Sequence, residues 1–115
     1  MLPAAHRLKG KKIFNDLFRF GKTFSNDLLL MKICAGEKDE PTKFGFAASL
    51  KYSKKAVERN RAKRWMRAAV RASLEKIQPG WQVIFFINPK APKDDLTLKE
   101  IQNKAENLLK KAKIL

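Results

Sequence analysis

The residues with the clearest chemical potential form one basic segment in the middle of the chain. Lys51 to Arg71 holds nine Lys or Arg residues and a single acid, Glu58. Five of these nine cations are Arg, whereas only two of the other seventeen in the chain are Arg. Arginine presents a planar fork of donors that grips phosphate oxygens in pairs and stacks on bases. The segment therefore favours contact with a phosphate-bearing polyanion.

A helical projection divides this segment into two faces. Four polar residues fall within one arc of about 60°: Asn60, Arg64, Arg67 and Arg71. Three cations flank this arc: Arg59, Arg61 and Lys63. Near the opposite side lie Ala62, Met66, Ala69 and Ser73. The four residues of the arc and the three flanking cations together form what we call the basic ridge: Arg59, Asn60, Arg61, Lys63, Arg64, Arg67 and Arg71. A merely solvated face would carry interleaved acids in i,i+4 pairs, and only Glu58 is available here.

Other reactive residues are too sparse to predict a protein active site. Cys34 and His6 are the single cysteine and histidine, so neither a disulfide within the chain nor a Cys/His zinc site is expected. A Cys–His nucleophile is disfavoured, because His6 is expected in a mobile tail and Cys34 in an apolar strand. The acids in the turn Gly36–Pro41 and at Asp94–Asp95 are interpreted as solvated loop charges rather than a metal site.

The overall charge indicates the class of partner. The 115 residues carry a formal net charge of +15, a self-repulsion that a polyanion would relieve. Nucleic acid is the leading candidate, ahead of an anionic membrane surface. Phe14 and Phe18 lie one helical turn apart among cations, a pattern that favours stacking of unpaired RNA bases on the two rings. The same spacing is also typical of core positions. No apolar run reaches the ~20 residues of a membrane span and no secretory signal is visible, so a cytoplasmic location is expected.

The elements that must position these residues alternate along one predicted domain, residues 1–115, with residues 1–9 as a flexible tail. They are helix Lys11–Phe20, strands Leu28–Ala35 and Phe44–Leu50, helix Lys54–Ile77, strand Trp81–Ile87 and a helix beginning after Thr97. The polar turn between the first two strands predicts that they pair antiparallel. Thr97 and Glu100 predict a capping box. The order α-β-β-α-β-α predicts an α+β fold, a single two-layer sandwich with helices on a small sheet.

The segment Ala56–Arg64, with Arg67 behind it, resembles the Arg-Asn-Arg signature helix of the protein subunit of bacterial ribonuclease P. Further similar segments are Leu8–Gly21 with its Phe-x3-Phe-x2-Gly pattern, Phe44–Phe46 followed by Ser49 and Lys51, Trp81–Pro89 and the helix after Thr97. In that family, a catalytic RNA with bound Mg²⁺ cleaves the 5′ leader from precursor tRNA, and the protein is a binding cofactor. The resemblance also implies a left-handed βαβ crossover around the signature helix, against the usual right-handed rule.

The resemblance further implies roles for individual residues. Those expected to contact the catalytic RNA are Arg59, Asn60, Arg61, Lys63, Arg64, Arg67 and Arg71. Those expected to bind the single-stranded leader of precursor tRNA are Phe14, Phe18, Lys32, Lys51, Lys54 and Lys55. No catalytic residue and no metal ligand is expected in this chain, because the Mg²⁺ is bound by the RNA. The protein is expected to be monomeric and to bind the RNA one to one.

Other functions stay open on residue types alone. A ribosomal or RNA-chaperone protein without a role in cleavage would share the size, charge and α+β form. DNA binding is a further alternative, although no zinc finger, helix-turn-helix pair or heptad zipper accompanies the basic helix. A nuclease acting without RNA is disfavoured, because the acids show no clustering typical of metal-dependent nucleases.

Overall fold

One four-stranded sheet organises the chain. The computed structural model describes residues 4–8, 19, 21–92 and 96–115. Its strands are β1 (Lys22–Ser25), β2 (Leu29–Ala35), β3 (Lys43–Ala47) and β4 (Trp81–Ile87). Its helices are α1 (Ala56–Ala72) and α2 (Leu98–Lys111), with short 3₁₀ turns at Ala4–His6 and Leu74–Lys76. The two helices pack on each other and on one face of the sheet, which confirms the predicted α+β sandwich.

The strand order differs from the predicted pairing. The sheet runs β1-β2-β4-β3, with β2 antiparallel to β1 and β4, and β3 parallel to β4. The prediction that β2 and β3 pair across their polar turn is therefore wrong, because β4 lies between them. Strand β4 takes this central place because its apolar run, residues 83–87, buries side chains on both faces. Val83, Ile84 and Phe85 are all 0% exposed.

The edge strand β1 is missing from the predicted element order. Its four residues include one large apolar side chain, Phe24, which packs against the core. Four residues are too short a pattern to predict a strand from the sequence. The strand forms because it pairs with β2, with Lys22 opposite Ile33 and Ser25 opposite Leu30. The predicted opening helix, Lys11–Phe20, lies outside the described residues except for Arg19, whose backbone is α-helical.

Part of the expected flexible tail lies against the sheet. Arg7 forms a parallel bridge with Phe44, and the Leu8 N–H donates to the Phe44 carbonyl oxygen at 2.9 Å. Leu8 is 8% exposed and packs in a small cluster with Ile84, on the sheet face opposite the helices. Residues 4–8 therefore extend the structure beyond β3, which no sequence pattern indicates.

Helix α1 connects β3 to its parallel neighbour β4 and lies within the predicted helical range. The chain leaves the helix at Ser73 and reaches Gly80, whose φ of 93° lies in the left-handed region. The predicted inner face is confirmed, since all four of its residues are buried: Ala62, Met66, Ala69 and Ser73. The βαβ crossover that the resemblance implies is thus present, and its handedness stays a prediction.

The turn between β1 and β2 is fastened to α2. Asn26 Oδ1 accepts hydrogen bonds from the N–H groups of Leu28 and Leu29 at 3.1 and 2.9 Å. Asn26 Nδ2 donates to the Lys104 carbonyl oxygen at 3.1 Å. The Lys104 ammonium lies 2.8 Å from the Asp27 carboxylate, and this hydrogen bond lowers the pKa of Asp27. These contacts hold the edge of the sheet against the second helix.

Helix α2 begins at the predicted cap. Thr97 is the N-cap residue, and its hydroxyl oxygen accepts the Glu100 N–H at 3.2 Å. Leu96 and Ile101 are both buried in the main core cluster, as the hydrophobic staple requires. The local sequence therefore determines where this helix starts.

We expect Thr97→Ala to lower the free energy of unfolding by about 1 kcal/mol, because the Glu100 N–H loses its acceptor. The melting temperature should fall by roughly 4 °C, as followed by circular dichroism. Thr97→Ser keeps the hydroxyl and serves as the control, with a stability close to that of the unmodified protein. An equal loss in both variants would contradict the cap as the cause.

Candidate RNA interface

The outward face of α1 carries the basic ridge. Asn60, Arg64 and Arg71 are exposed, and the other four members of the ridge are half-buried. The opposite side of the helix lies in the core with Ala62 and Met66, each 1% exposed. All seven side chains are thus displayed on one side of a helix that the sheet holds in place, as the projection predicts.

Two ridge arginines are restrained by neighbouring groups. Arg59 Nη1 donates to the Ser53 carbonyl oxygen at 2.9 Å. The Ser53 hydroxyl in turn donates to Glu58 Oε1 at 2.5 Å. Arg61 places its guanidinium carbon 5.2 Å from the centre of the Trp65 ring, within the range of a cation–π contact. The charged groups at the amino-terminal half of the ridge are therefore partly oriented before any ligand arrives.

The later ridge arginines carry charge that no acid of the described chain neutralises. Among residues 4–8, 19, 21–92 and 96–115, ion pairs join Lys43 to Glu40 at 3.4 Å and Lys104 to Asp27 at 2.8 Å. Neither of these pairs includes Arg64, Arg67 or Arg71. The guanidinium groups of Arg64, Arg67 and Arg71 therefore project a positive potential toward an external anion.

Three lysines predicted to bind the leader meet at the amino-terminal end of α1. Lys51, Lys54 and Lys55 line one open pocket of about 510 Å³, together with Leu50 and Glu58. All three lysines are exposed. They therefore continue the basic ridge beyond the start of the helix, which widens the positive surface around α1.

Lys32 lies elsewhere, on the sheet face turned away from the helices. The register places four residues side by side across the strands: Thr23, Lys32, Ile84 and Gly45. The adjacent row contains Ser25, Leu30, Phe86 and Ala47. Lys32 and Phe86 are both half-buried and are diagonal neighbours on this face. The structure does not bring Lys32 into the pocket of the other three lysines.

Phe86 is a candidate contact that the sequence reading missed. The apolar pattern of Trp81–Ile87 predicts burial on both faces, so the partial exposure of the Phe86 ring could not be predicted from it. Alternation along β2 and β4 could have placed Lys32 and Phe86 on one face only if the pairing register were known. The predicted leader residues Phe14 and Phe18 lie outside the described residues.

The remaining reactive side chains make ordinary structural contacts. Cys34 is half-buried, with its Sγ 3.4 Å from Gln82 Oε1. His6 Nδ1 lies 2.8 Å from the Thr42 carbonyl oxygen. Across the ranges that the structure describes, no three His, Cys, Asp or Glu side chains gather closely enough to hold a metal ion. In the same ranges, no helix combines the length and apolar character needed to cross a membrane.

Known proteins with similar sequences share one description. A family model described as Ribonuclease P matches residues 2–113. A ribonuclease P protein component from Picosynechococcus sp. is 42% identical over 90 residues, which cover 78% of this chain and 77% of the relative. The corresponding protein from Rippkaea orientalis is 33% identical over 118 residues, with 99% of this chain and 91% of the relative covered.

Solved structures agree with the sequence matches. The RNase P protein of Staphylococcus aureus gives a TM-score of 0.81 at 27% identity, over 95% of this chain and 96% of that one. The RNase P protein of Thermotoga maritima gives 0.82 at 25% identity, over 91% of this chain and 96% of that one. The chain therefore belongs to the ribonuclease P protein family, and its role is that of a protein cofactor in tRNA 5′-leader processing.

Proposed function

We propose that this chain binds the RNA subunit of ribonuclease P through the basic ridge, while the RNA carries out the cleavage. The observation that supports the proposal most directly is the outward face of α1. It presents Arg64, Arg67 and Arg71 without carboxylate partners in the described part of the chain, on a helix whose other face is locked in the core. Such a surface neutralises phosphates and positions an RNA without itself reacting.

Magnesium ions belong to the RNA in this proposal. The acids of the described chain lie on both turns and helices, with Glu37 and Asp39 in one exposed turn and Glu58 on α1, and no three of them gather closely enough to hold a metal ion. The ions bound by the RNA supply the cleavage chemistry. The residues of this chain contribute charge, since each phosphate that Lys or Arg neutralises releases counterions and strengthens RNA binding.

The sheet face around Lys32 is proposed as the contact for the single-stranded leader of precursor tRNA. It combines a cation, Lys32, with the partly exposed ring of Phe86, and such pairs hold unpaired nucleotides through phosphate contact and base stacking. The resemblance adds Phe14 and Phe18 to this surface. Lys51, Lys54 and Lys55, which line the pocket at the start of α1, are proposed as further leader contacts beside the basic ridge.

Lys32→Gln is expected to weaken binding of precursor tRNA to the reconstituted enzyme by about two- to tenfold, because a charged contact to the leader is lost. Binding of mature tRNA, which has no leader, should be unchanged. The two dissociation constants are measured side by side for the same preparation. Lys99→Gln removes the same charge from an exposed position on α2 and is the control. Equal weakening of both tRNAs would contradict a leader contact at Lys32.

Reconstitution is the experiment that tests the function. The purified chain is mixed with a bacterial ribonuclease P RNA and a precursor tRNA at low Mg²⁺, where the RNA alone is nearly inactive. We expect cleavage at the mature 5′ end only when both RNA and protein are present. Cleavage without the RNA would instead reveal an active site in the protein. Sedimentation of the complex checks the proposed one-to-one stoichiometry and the monomeric state of the protein.

The ribosomal or RNA-chaperone alternative is not favoured, because the family match and the relatives all describe a ribonuclease P protein. Co-sedimentation of the protein with ribosomal subunits, combined with no stimulation of cleavage, would revive it. A cytoplasmic location is part of the proposal, since precursor tRNA is processed where it is transcribed in bacteria. Fluorescence microscopy of a tagged protein tests the location directly.

A further inference from the structure

The aromatic side chain of Trp65 lies beside the basic ridge and is not among the residues proposed to contact RNA. Trp65 follows Arg61 by four residues on α1, so the two side chains share one side of the helix. The Arg61 guanidinium carbon lies 5.2 Å from the centre of the Trp65 ring. We propose that Trp65 is a positioning residue for RNA binding, holding the Arg61 guanidinium in the orientation in which the ridge meets the RNA. This inference rests on the proposed RNA-binding function of the ridge.

Trp65 is itself held firmly enough to serve as a support. Its ring is half-buried and packs against the main core cluster. The next residue along the chain, Met66, is 1% exposed, which keeps this part of α1 against the sheet. A guanidinium resting on such a ring is tied to the core rather than only to its own flexible side chain. Trp65 therefore restricts the motion of the Arg61 guanidinium, because the ring that contacts it is packed against the core.

The gain from this arrangement is preorganisation. A long surface side chain loses rotamer freedom when it grips a phosphate, and this loss weakens binding. An arginine that already lies over an aromatic ring loses less, because its planar fork is oriented in advance. The contact therefore strengthens RNA binding even if Trp65 never touches the RNA.

The partner arginine of the signature triplet is restrained in a comparable way. Arg59 donates to the Ser53 carbonyl oxygen at 2.9 Å, so it is tied to the loop that precedes α1. Asn60 lies exposed between the two restrained arginines. The guanidinium groups of Arg59 and Arg61 thus lie on either side of the exposed Asn60. The Ser53 carbonyl orients the first and the Trp65 ring orients the second. Trp65 completes this arrangement on the Arg61 side.

A double-mutant cycle tests the proposal. The dissociation constant for a bacterial ribonuclease P RNA is measured at one fixed salt concentration for Arg61→Gln, Trp65→Leu and the double variant. Arg61→Gln should weaken binding on the order of tenfold. Trp65→Leu should weaken it by about two- to fivefold, the value of an exposed cation–π contact. The double variant should bind no more weakly than Arg61→Gln alone, and Trp65→Phe should restore most of the affinity.

Each other outcome of the cycle has a definite meaning. If Trp65→Leu weakens binding equally with and without Arg61, the two effects are additive, and Trp65 contacts the RNA by itself. If Trp65→Leu changes only the melting temperature, its role is structural. Either result overturns the positioning role but leaves the proposed function intact. If the unmodified protein fails to bind the RNA, the proposed function falls first.

A spectroscopic readout separates positioning from packing in the free protein. A guanidinium over an indole ring experiences its ring current, so the Arg61 side-chain proton resonances should be shifted upfield in the NMR spectrum. The shift should vanish in Trp65→Leu and persist in Trp65→Phe, at a temperature where all three proteins are folded. An unshifted Arg61 resonance in the unmodified protein would overturn the proposal.

Discussion

Replacing Arg64, Arg67 and Arg71 together by glutamine is expected to weaken binding of ribonuclease P RNA on the order of a hundredfold at moderate salt. Each lost phosphate contact contributes about 1 kcal/mol, so the three contacts on one face together contribute about 3 kcal/mol. The slope of log K against log salt concentration should become flatter by about 2, because fewer counterions are released. Titration of labelled RNA at several salt concentrations measures both quantities.

A matched control variant distinguishes the effect of the ridge arginines on RNA affinity from the effect of the overall net charge. Lys99, Lys110 and Lys111 are exposed on α2, and their replacement by glutamine removes the same three charges from another surface. This control should retain most of the affinity and most of the salt dependence. Equal losses in the two triple variants would mean that binding follows overall charge and that the ridge is no specific interface. Circular dichroism should show both variants folded, since none of the six side chains is buried.

Phe85→Ala is expected to lower the free energy of unfolding by about 3–5 kcal/mol, the largest stability effect we predict. Phe85 is 0% exposed at the centre of β4. Its ring stacks between Phe44 and Phe46, with ring centres 6.5 and 6.3 Å away. Truncation leaves a cavity in the main core cluster, beside the rings of Phe44 and Phe46. Because a domain of this size is stabilised by only ~5–15 kcal/mol, this loss is a large fraction of its stability, and the melting temperature should fall markedly.

Urea denaturation followed by circular dichroism measures this loss. Val57→Ala is the control, because Val57 is 76% exposed and its truncation should change stability by less than about 0.5 kcal/mol. RNA at a hundred times its dissociation constant should restore about 2.7 kcal/mol to Phe85→Ala, provided that it binds only the folded state. A stability loss below about 1 kcal/mol would show that the site collapses around the cavity. Failure of RNA to rescue would instead mean that the core residue alters the interface.

The two faces of α1 could be predicted because a helix is a local structure. Its 3.6-residue period alone determines that Ala62 and Met66 point opposite Asn60 and Arg64. The start of α2 was equally accessible, since a cap needs only Thr97 and the amide three residues later. Thus the basic ridge, the element types of most segments and the class of ligand were all readable in the sequence.

The sheet could not be derived in the same way. Its order depends on contacts between distant segments, and β4 enters between β2 and β3 because it can bury both of its faces. The short edge strand β1 is ordered by pairing with β2 rather than by its own residues. The neighbourhood of Lys32 and Phe86 follows from that register, which a one-residue slip would abolish.

In the candidate interface, too, some features follow from local helix geometry and others from contacts between distant segments. Which charges lie on one helix face could be predicted from the residues alone, because local backbone geometry sets that face. Three other features depend on packing: Arg59 donates to the Ser53 carbonyl, Lys51 lies at the start of α1, and Lys32 lies on a separate surface. These arrangements require the loop, the helix and the sheet to pack together, and packing is a property of the whole chain.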